Sequence, residues 1–192
     1  MLKRLGFWGS AVVAGVLLGL GATVLFLQRA GMGGDIASGP WHTSMATGSS
    51  SADPWTRALV ARRGLLALAP EETLYYTATT DSDGRRLNGN CRYRLDGRDP
   101  GARWWSITAY GADSYLISNP QKRYSFSQTT LTRAVDRSWS IVVSADSAEG
   151  NWLPVRAGED FELTVRFYNP ETDVYSEPGA VALPTIVRES CR

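Results

Sequence analysis

From Phe7 to Leu27 the chain reads FWGSAVVAGVLLGLGATVLFL, 21 residues without a charge. In lipid such a stretch satisfies its backbone only as a helix, and at this length the helix crosses a hydrocarbon core of about 30 Å. Lys3 and Arg4 precede it, so the positive-inside bias places residues 1–6 in the cytoplasm. The expectation is a single-pass protein of the inner (cytoplasmic) membrane, its C-terminal domain facing the periplasm or exterior. A cleaved signal peptide is the competing reading. Signal cores run to about 7–15 residues, and no small-x-small site closes this one; Ala37-Ser38-Gly39 lies well downstream. Retention as an anchor is therefore expected. Ala11, Gly15 and Gly19 are spaced four apart, as in helices that approach closely in membranes, although small residues are common in any such helix.

Residues 40–192 carry 17 basic and 18 acidic side chains, a net charge of about −1. That balance supplies no electrostatic footprint for nucleic acid. Cys91 and Cys191 both follow the apolar stretch, and in an oxidising compartment a lone distant pair reads as one disulfide. It would close a loop of about 100 residues, worth roughly 4–5 kcal/mol in the chain-entropy model. Free thiols, or an intermolecular bridge through Cys191, are the alternative.

Residues 28–52 are mainly Gly, Ser, Ala and Thr and are expected to form a flexible tether, His42 within it being a solvated side chain. Asp53-Pro54 then signals a helix start, with Trp55, Leu59, Val60, Leu66 and Leu68 on one side and Arg57, Arg62 and Arg63 on the other. The helix should run to about Ala69-Pro70 and pack across an end or open face of a sheet. From Glu72 the signal is β. Extended segments are expected at Leu74–Thr80, Cys91–Leu95, Arg103–Tyr110, Tyr115–Ile117, Arg123–Ser127, Ser138–Ser144 and Phe161–Tyr168, separated by Gly, Pro, Asn and Asp. Period two places Trp105, Ile107 and Ala109 on one face and Trp104, Ser106, Thr108 and Tyr110 on the other. Residues 53–192 are thus expected as an all-β, jelly-roll-like β-sandwich preceded by one amphipathic helix.

Four motifs in order carry a resemblance: Trp105-Ser106-Ile107-Thr108-x-Tyr110, Asn119-Pro120-x-x-Arg123-Tyr124-Ser125, Asn151-Trp152-Leu153-Pro154, and the Phe161–Tyr168 strand. Together they resemble the bacterial domain-of-unknown-function 1214 family over about residues 75–187. The resemblance implies a jelly-roll-like β domain and brings no established activity. Many members carry a second, upstream domain of related build, where this chain has an apolar helix and a tether. Arg156, and Tyr168-Asn169-Pro170, depart from the family's usual pattern, which weakens any transfer of ligand contacts to those loops.

For catalysis, residues 53–192 offer no histidine, which removes serine-histidine chemistry, and two distant cysteines do not make a zinc site. No catalytic residue, metal or cofactor is assigned. Asp113, Asp136, Asp146, Glu149, Glu159 and Asp160 leave a paired-carboxylate mechanism open, and Asp81, Asp83 and Asp146 a calcium site without a ligand-loop spacing. The ligand-binding candidates are Asn151 and Trp152, as an amide and indole on a rim, with Arg123 and Tyr124 as an anion-binding pair. Each has a structural alternative: Trp152 plugging the sandwich end, Asn151 satisfying loop backbone, Arg123 pairing with Asp113 or Asp136. The function expected is a non-catalytic, membrane-tethered envelope module that binds a protein or glycan partner; the alternative is a carboxylate-dependent hydrolase or other glycan-acting enzyme.

Overall fold

The computed structural model describes residues 2–29, 36–62 and 66–192. Two compact units divide it, one within Met1–Met32 and one within Gly33–Arg192. The first is helix α1 (Leu2–Arg29). Its Trp8–Leu27 span is long and apolar enough to cross a membrane, a test that a signal sequence near an N-terminus also passes.

The second unit is built from two sheets. One has six strands in the order β1 (Ile36–Ser38), β2 (Trp41–Thr43), β3 (Thr73–Ala78), β9 (Phe161–Pro170), β5 (Ala102–Gly111) and β6 (Ser125–Ser127). The other has four, in the order β10 (Thr185–Cys191), β4 (Cys91–Gly97), β7 (Trp139–Ser144) and β8 (Trp152–Pro154). All pairings are antiparallel except β7 with β8. The all-β sandwich expected from the alternation is present.

The core follows from that alternation. Across the six-stranded sheet Leu74, Phe167 and Trp105 stand in register, as do Tyr76, Val165, Ile107 and Phe126. Ile186, Leu95 and Ile141 form one row of the other sheet; Tyr93, Val143 and Leu153 form the next. All of these are buried, each worth roughly 1.5–3 kcal/mol of apolar transfer. Trp105 and Trp139 stack across the sheets with centroids 5.1 Å apart. The Trp139 ring lies over Gly97, its cross-strand partner, where an added Cβ would come within 2.5 Å of the indole. Glycine is therefore required there by the ring itself.

Cys91 and Cys191 face each other across the β4–β10 ladder and are joined by a disulfide that spans 100 residues of sequence. Fully buried Asp81, in the turn after β3, ties to the same strand: its Oδ2 faces Arg188 Nε at 2.9 Å.

Four expectations are corrected. The tether was expected over 28–52, but Ile36–Ser38 and Trp41–Thr43 extend the six-stranded sheet, and Trp41 is completely buried with its Nε1 donating to Pro184 O at 2.7 Å. Residues 30–35 of that tether lie outside the described residues. His42 is exposed, as expected of a solvated side chain, but it stands on β2 opposite Thr77. The helix expected to reach Ala69-Pro70 is α2 (Pro54–Arg62), after which 66–69 are not helical; Arg63 lies outside the described residues. Asp53 caps α2 as the Asp-Pro signal implies, accepting from Trp55 N at 2.8 Å and Thr56 N at 3.2 Å. Its carboxyl is held below the usual range first by the Thr56 hydroxyl, then by those amides. No α2 side chain is buried, so this helix does not cover the sheet as the pattern suggested. Tyr115–Ile117 contributes a single bridge, Tyr110 with Leu116, rather than a strand.

Candidate functional site

Where the connection from β4 to β5 meets the start of β7, a cleft of about 850 Å³ opens. Its third wall is the segment 171–183, containing helix α3 (Thr172–Ser176) and the 3-10 turn Pro178–Ala180. This wall has little regular structure of its own. It is pinned from behind by side chains donating to its carbonyls: Ser38 Oγ to Val181 O (2.8 Å), Tyr76 OH to Pro178 O (3.0 Å) and the indole of Trp41 to Pro184 O, just beyond it. Residues that read as tether thus hold the cleft open. Burial pushes the Tyr76 phenol up to about 12, so the hydrogen it donates is retained through neutral pH.

The lining combines apolar Trp139, Val174, Val181 and Leu183 with the acids Asp96, Asp99, Glu171, Asp173 and Glu177. Arginines engage the acids on the strand side. Asp96 pairs with Arg94 and accepts from the Ser140 hydroxyl, and Asp99 takes Arg133 through both oxygens at 2.9 and 3.1 Å. Arg98, the one basic residue among the lining, is bound to Asp136 at 3.0 Å. The Asp136 carboxyl is held low by the Ser138 hydroxyl and amide, then by Arg98. Glu171, Asp173 and Glu177 have no basic partner among the described residues. The cleft wall is therefore net acidic beside an apolar floor, a surface suited to a ligand with a cationic group and an apolar body.

The residues singled out in the sequence lie elsewhere. Asn151 is committed to the fold: Oδ1 accepts from Thr132 N at 2.9 Å, and Nδ2 donates to Thr132 O (2.7 Å) and Ser140 O (3.0 Å). Trp152 is buried, and its indole donates to Ser144 O at 3.1 Å. Arg123 Nη1 reaches Trp152 O at 3.1 Å and its guanidinium sits 5.6 Å from the Phe126 centroid, rather than meeting Asp113 or Asp136. The structure so brings Arg123 and Trp152 together, while Tyr124 contributes its carbonyl to Ala109 N. None of the four lines the cleft. Nor do Asp113, Asp136, Asp146, Glu149, Glu159 or Asp160. Asp81, Asp83 and Asp146 do not converge, since Asp81 faces Arg188 and Asp146 pairs with Arg192. Among the described residues no group of three His, Cys, Asp or Glu is placed to hold a metal.

The cleft escaped the sequence because Asp173 sits on a five-residue helix, with Glu171 and Glu177 at its two caps, a segment too short to show a period. The available signal was Glu171, Asp173 and Glu177 within seven residues, ahead of Pro178-Gly179.

The model of a family described as "Protein of unknown function (DUF1214)" matches residues 72–172. The chain belongs to that family. The match takes in β3 through Thr172, the first residue of α3, and hence two of the three cleft walls and the start of the third. As a DUF1214 chain it is similar in structure to the VPA0106 protein of Vibrio parahaemolyticus, at TM-score 0.62 and 23% identity over 92% of this chain. It is also similar, at TM-score 0.45 and 22% identity over 63% of its length, to an uncharacterized protein from Burkholderia cenocepacia. It spans 44% of the first of those chains and 30% of the second. No curated protein matches the sequence. The first likeness shows that the DUF1214 chain shares the fold.

Proposed function

We propose that this protein is a non-catalytic binding module, held at the inner membrane by α1 with its β domain in the periplasm, and that the acid-walled cleft is its ligand site. The apolar Trp8–Leu27 span, Lys3 and Arg4 ahead of it, and a disulfide in the domain support the location. The observation that carries the binding reading is the cleft itself: three carboxylates without basic partners among the described residues, beside Trp139, on a wall that Ser38, Trp41 and Tyr76 hold in place. The ligand such a surface selects is a cationic group attached to an apolar or sugar body, borne by an envelope protein or glycan.

One observation favours a second reading, the carboxylate-dependent hydrolase: the cleft gathers five acids. A productive pair would have to face across it, one acid from 96–99 and one from 171–177. Those on the first side are already bound to Arg94 and Arg133, which favours binding over turnover.

The test is a thermal-shift screen of the full chain in detergent against a lysine-rich peptide, polyamines and neutral glycans. A cationic probe should raise Tm in the wild type and not in Glu171→Gln/Asp173→Asn/Glu177→Gln. No shift with any probe, or equal shifts in both proteins, sinks the reading. Release of product from a glycan by the wild type would replace it with the hydrolase.

A further inference from the structure

A different part of the fold carries a second site. On the side of the six-stranded sheet turned away from the core, register aligns side chains in rows. Thr73, Tyr168 and Trp104 form one row; Tyr75, Arg166 and Ser106 the next; then Thr77, Thr164 and Thr108; then Glu162 and Tyr110. Rows are about 7 Å apart, two residues along each strand.

Arg166 stands near the middle of this face and is half-buried. Its side chain turns along the strand, Nη2 donating to Tyr110 OH at 2.7 Å and Nη1 to Thr108 Oγ1 at 3.3 Å. Its Cζ is 5.3 Å from the Tyr110 ring and 5.9 Å from the Tyr75 ring. Among the described residues no ion pair joins a carboxylate to it; Glu162, on the same face, has an interaction of its own. The purely structural account makes Arg166 a clip between two tyrosines. That account uses two of the guanidinium's five N–H donors and leaves three. Tyr110 OH accepts from Arg166, so its own hydrogen points onward, while the Ser106 side chain opposite is buried. A half-buried cation surrounded by hydroxyls and ring faces, with no ion-pair partner among the described residues, is built to receive an anionic acceptor.

The neighbouring row specifies what the acceptor is attached to. Trp104 and Tyr168 pack edge to face at 5.2 Å and remain partly exposed, one row from Arg166. A guanidinium beside a flat aromatic pair and a partly exposed phenol matches a sugar ring bearing a carboxylate: the ring covers the indole, the carboxylate meets the guanidinium, and a sugar hydroxyl meets Tyr110. We infer that the outer face around Arg166 is a binding site for a glycan containing carboxylated sugars.

Titration calorimetry of the full chain in detergent micelles tests this with tetragalacturonate, a neutral tetrasaccharide and inorganic sulfate. The wild type should bind tetragalacturonate saturably and at least tenfold more tightly than the neutral tetrasaccharide. Arg166→Gln should weaken that binding at least tenfold, and Trp104→Ala should weaken tetragalacturonate while leaving sulfate unchanged. Tyr110→Phe keeps the ring and the fold while removing the hydroxyl, and should cost about threefold even where Arg166→Gln fails to fold. The cleft triple variant should bind tetragalacturonate as the wild type does, which separates this site from the cleft. No saturable binding by the wild type, or unchanged binding in Arg166→Gln and Tyr110→Phe, overturns the site. Sulfate binding as tight as tetragalacturonate overturns the sugar assignment.

Discussion

Replacing Asp81 by asparagine removes one charge from the most enclosed ion pair among the described residues. Asp81 is 1% exposed and the Arg188 side chain 18%. Oδ1 accepts the amides of Asp83 (3.1 Å) and Arg85 (2.8 Å). Oδ2 lies 2.9 Å from Arg188 Nε, an ion pair by distance although off the hydrogen-bonding angle, and 3.3 Å from Arg85 Nε. Asparagine can keep the Oδ1 bonds through its carbonyl but sets an uncharged amide against two guanidinium groups. Arg188 retains Arg86 O and the Tyr93 ring, so it is not wholly abandoned. Breaking a buried pair costs about 3–5 kcal/mol, and with these surviving contacts Asp81→Asn should cost about 2–3 kcal/mol. For a domain of this size that lowers Tm by roughly 4–12 °C. The assay is urea unfolding of the full chain in detergent, followed by tryptophan fluorescence, on Asp81→Asn, Arg188→Met and the double variant. A coupling energy above about 1 kcal/mol is expected. A loss below about 1 kcal/mol in Asp81→Asn, or single-variant losses that simply add, would refute the argument that the pair acts as a unit.

Three further outcomes are expected. Reducing the disulfide, or making Cys91→Ser/Cys191→Ser, should lower stability by up to about 4–5 kcal/mol, read as a shift in the urea midpoint, because the bond closes a 100-residue loop. Tyr76 has a folded pKa of about 12, above its unfolded value, so its contribution is complete below about pH 10 and is lost as pH rises toward 12. That loss amounts to about 2–3 kcal/mol, and Tyr76→Phe should flatten the alkaline limb of a pH–stability curve. Asn151→Ala should cost about 1–3 kcal/mol by stranding Thr132 N and two carbonyls, and Trp152→Ala about 3–5 kcal/mol through a core cavity, both measurable by chemical unfolding.

The strands that carry the core were legible because each buries one face. Alternation in Trp105, Ile107 and Ala109 placed β5, and that in Phe161, Leu163, Val165 and Phe167 placed β9. The β1–β2 pair was not, because small polar residues read as a linker whenever their partner is distant in sequence; what distinguishes this one is Trp41, whose carbonyl acceptor lies 143 residues away. Asn151 drew attention as an amide beside an indole, and composition alone cannot tell a binding amide from one bonded across a loop. The cleft depends on 171–183, which owes its shape to Ser38, Trp41 and Tyr76 rather than to its own pattern. Alternation along Phe161–Tyr168 turns Arg166 outward, but only register shows that hydroxyls and rings surround it.

The β4–β10 ladder also dictates an order of events during synthesis. Until residues 185–191 have emerged, β4 has only one of its two neighbours, Asp81 lacks Arg188, and Cys91 has no intramolecular thiol to meet. A ribosome-bound chain ending anywhere before Thr185 would expose one edge of β4 and a reactive sulfur together. Such an intermediate presents the two features, an unpaired strand edge and a free thiol, that invite mispairing before the sandwich is complete.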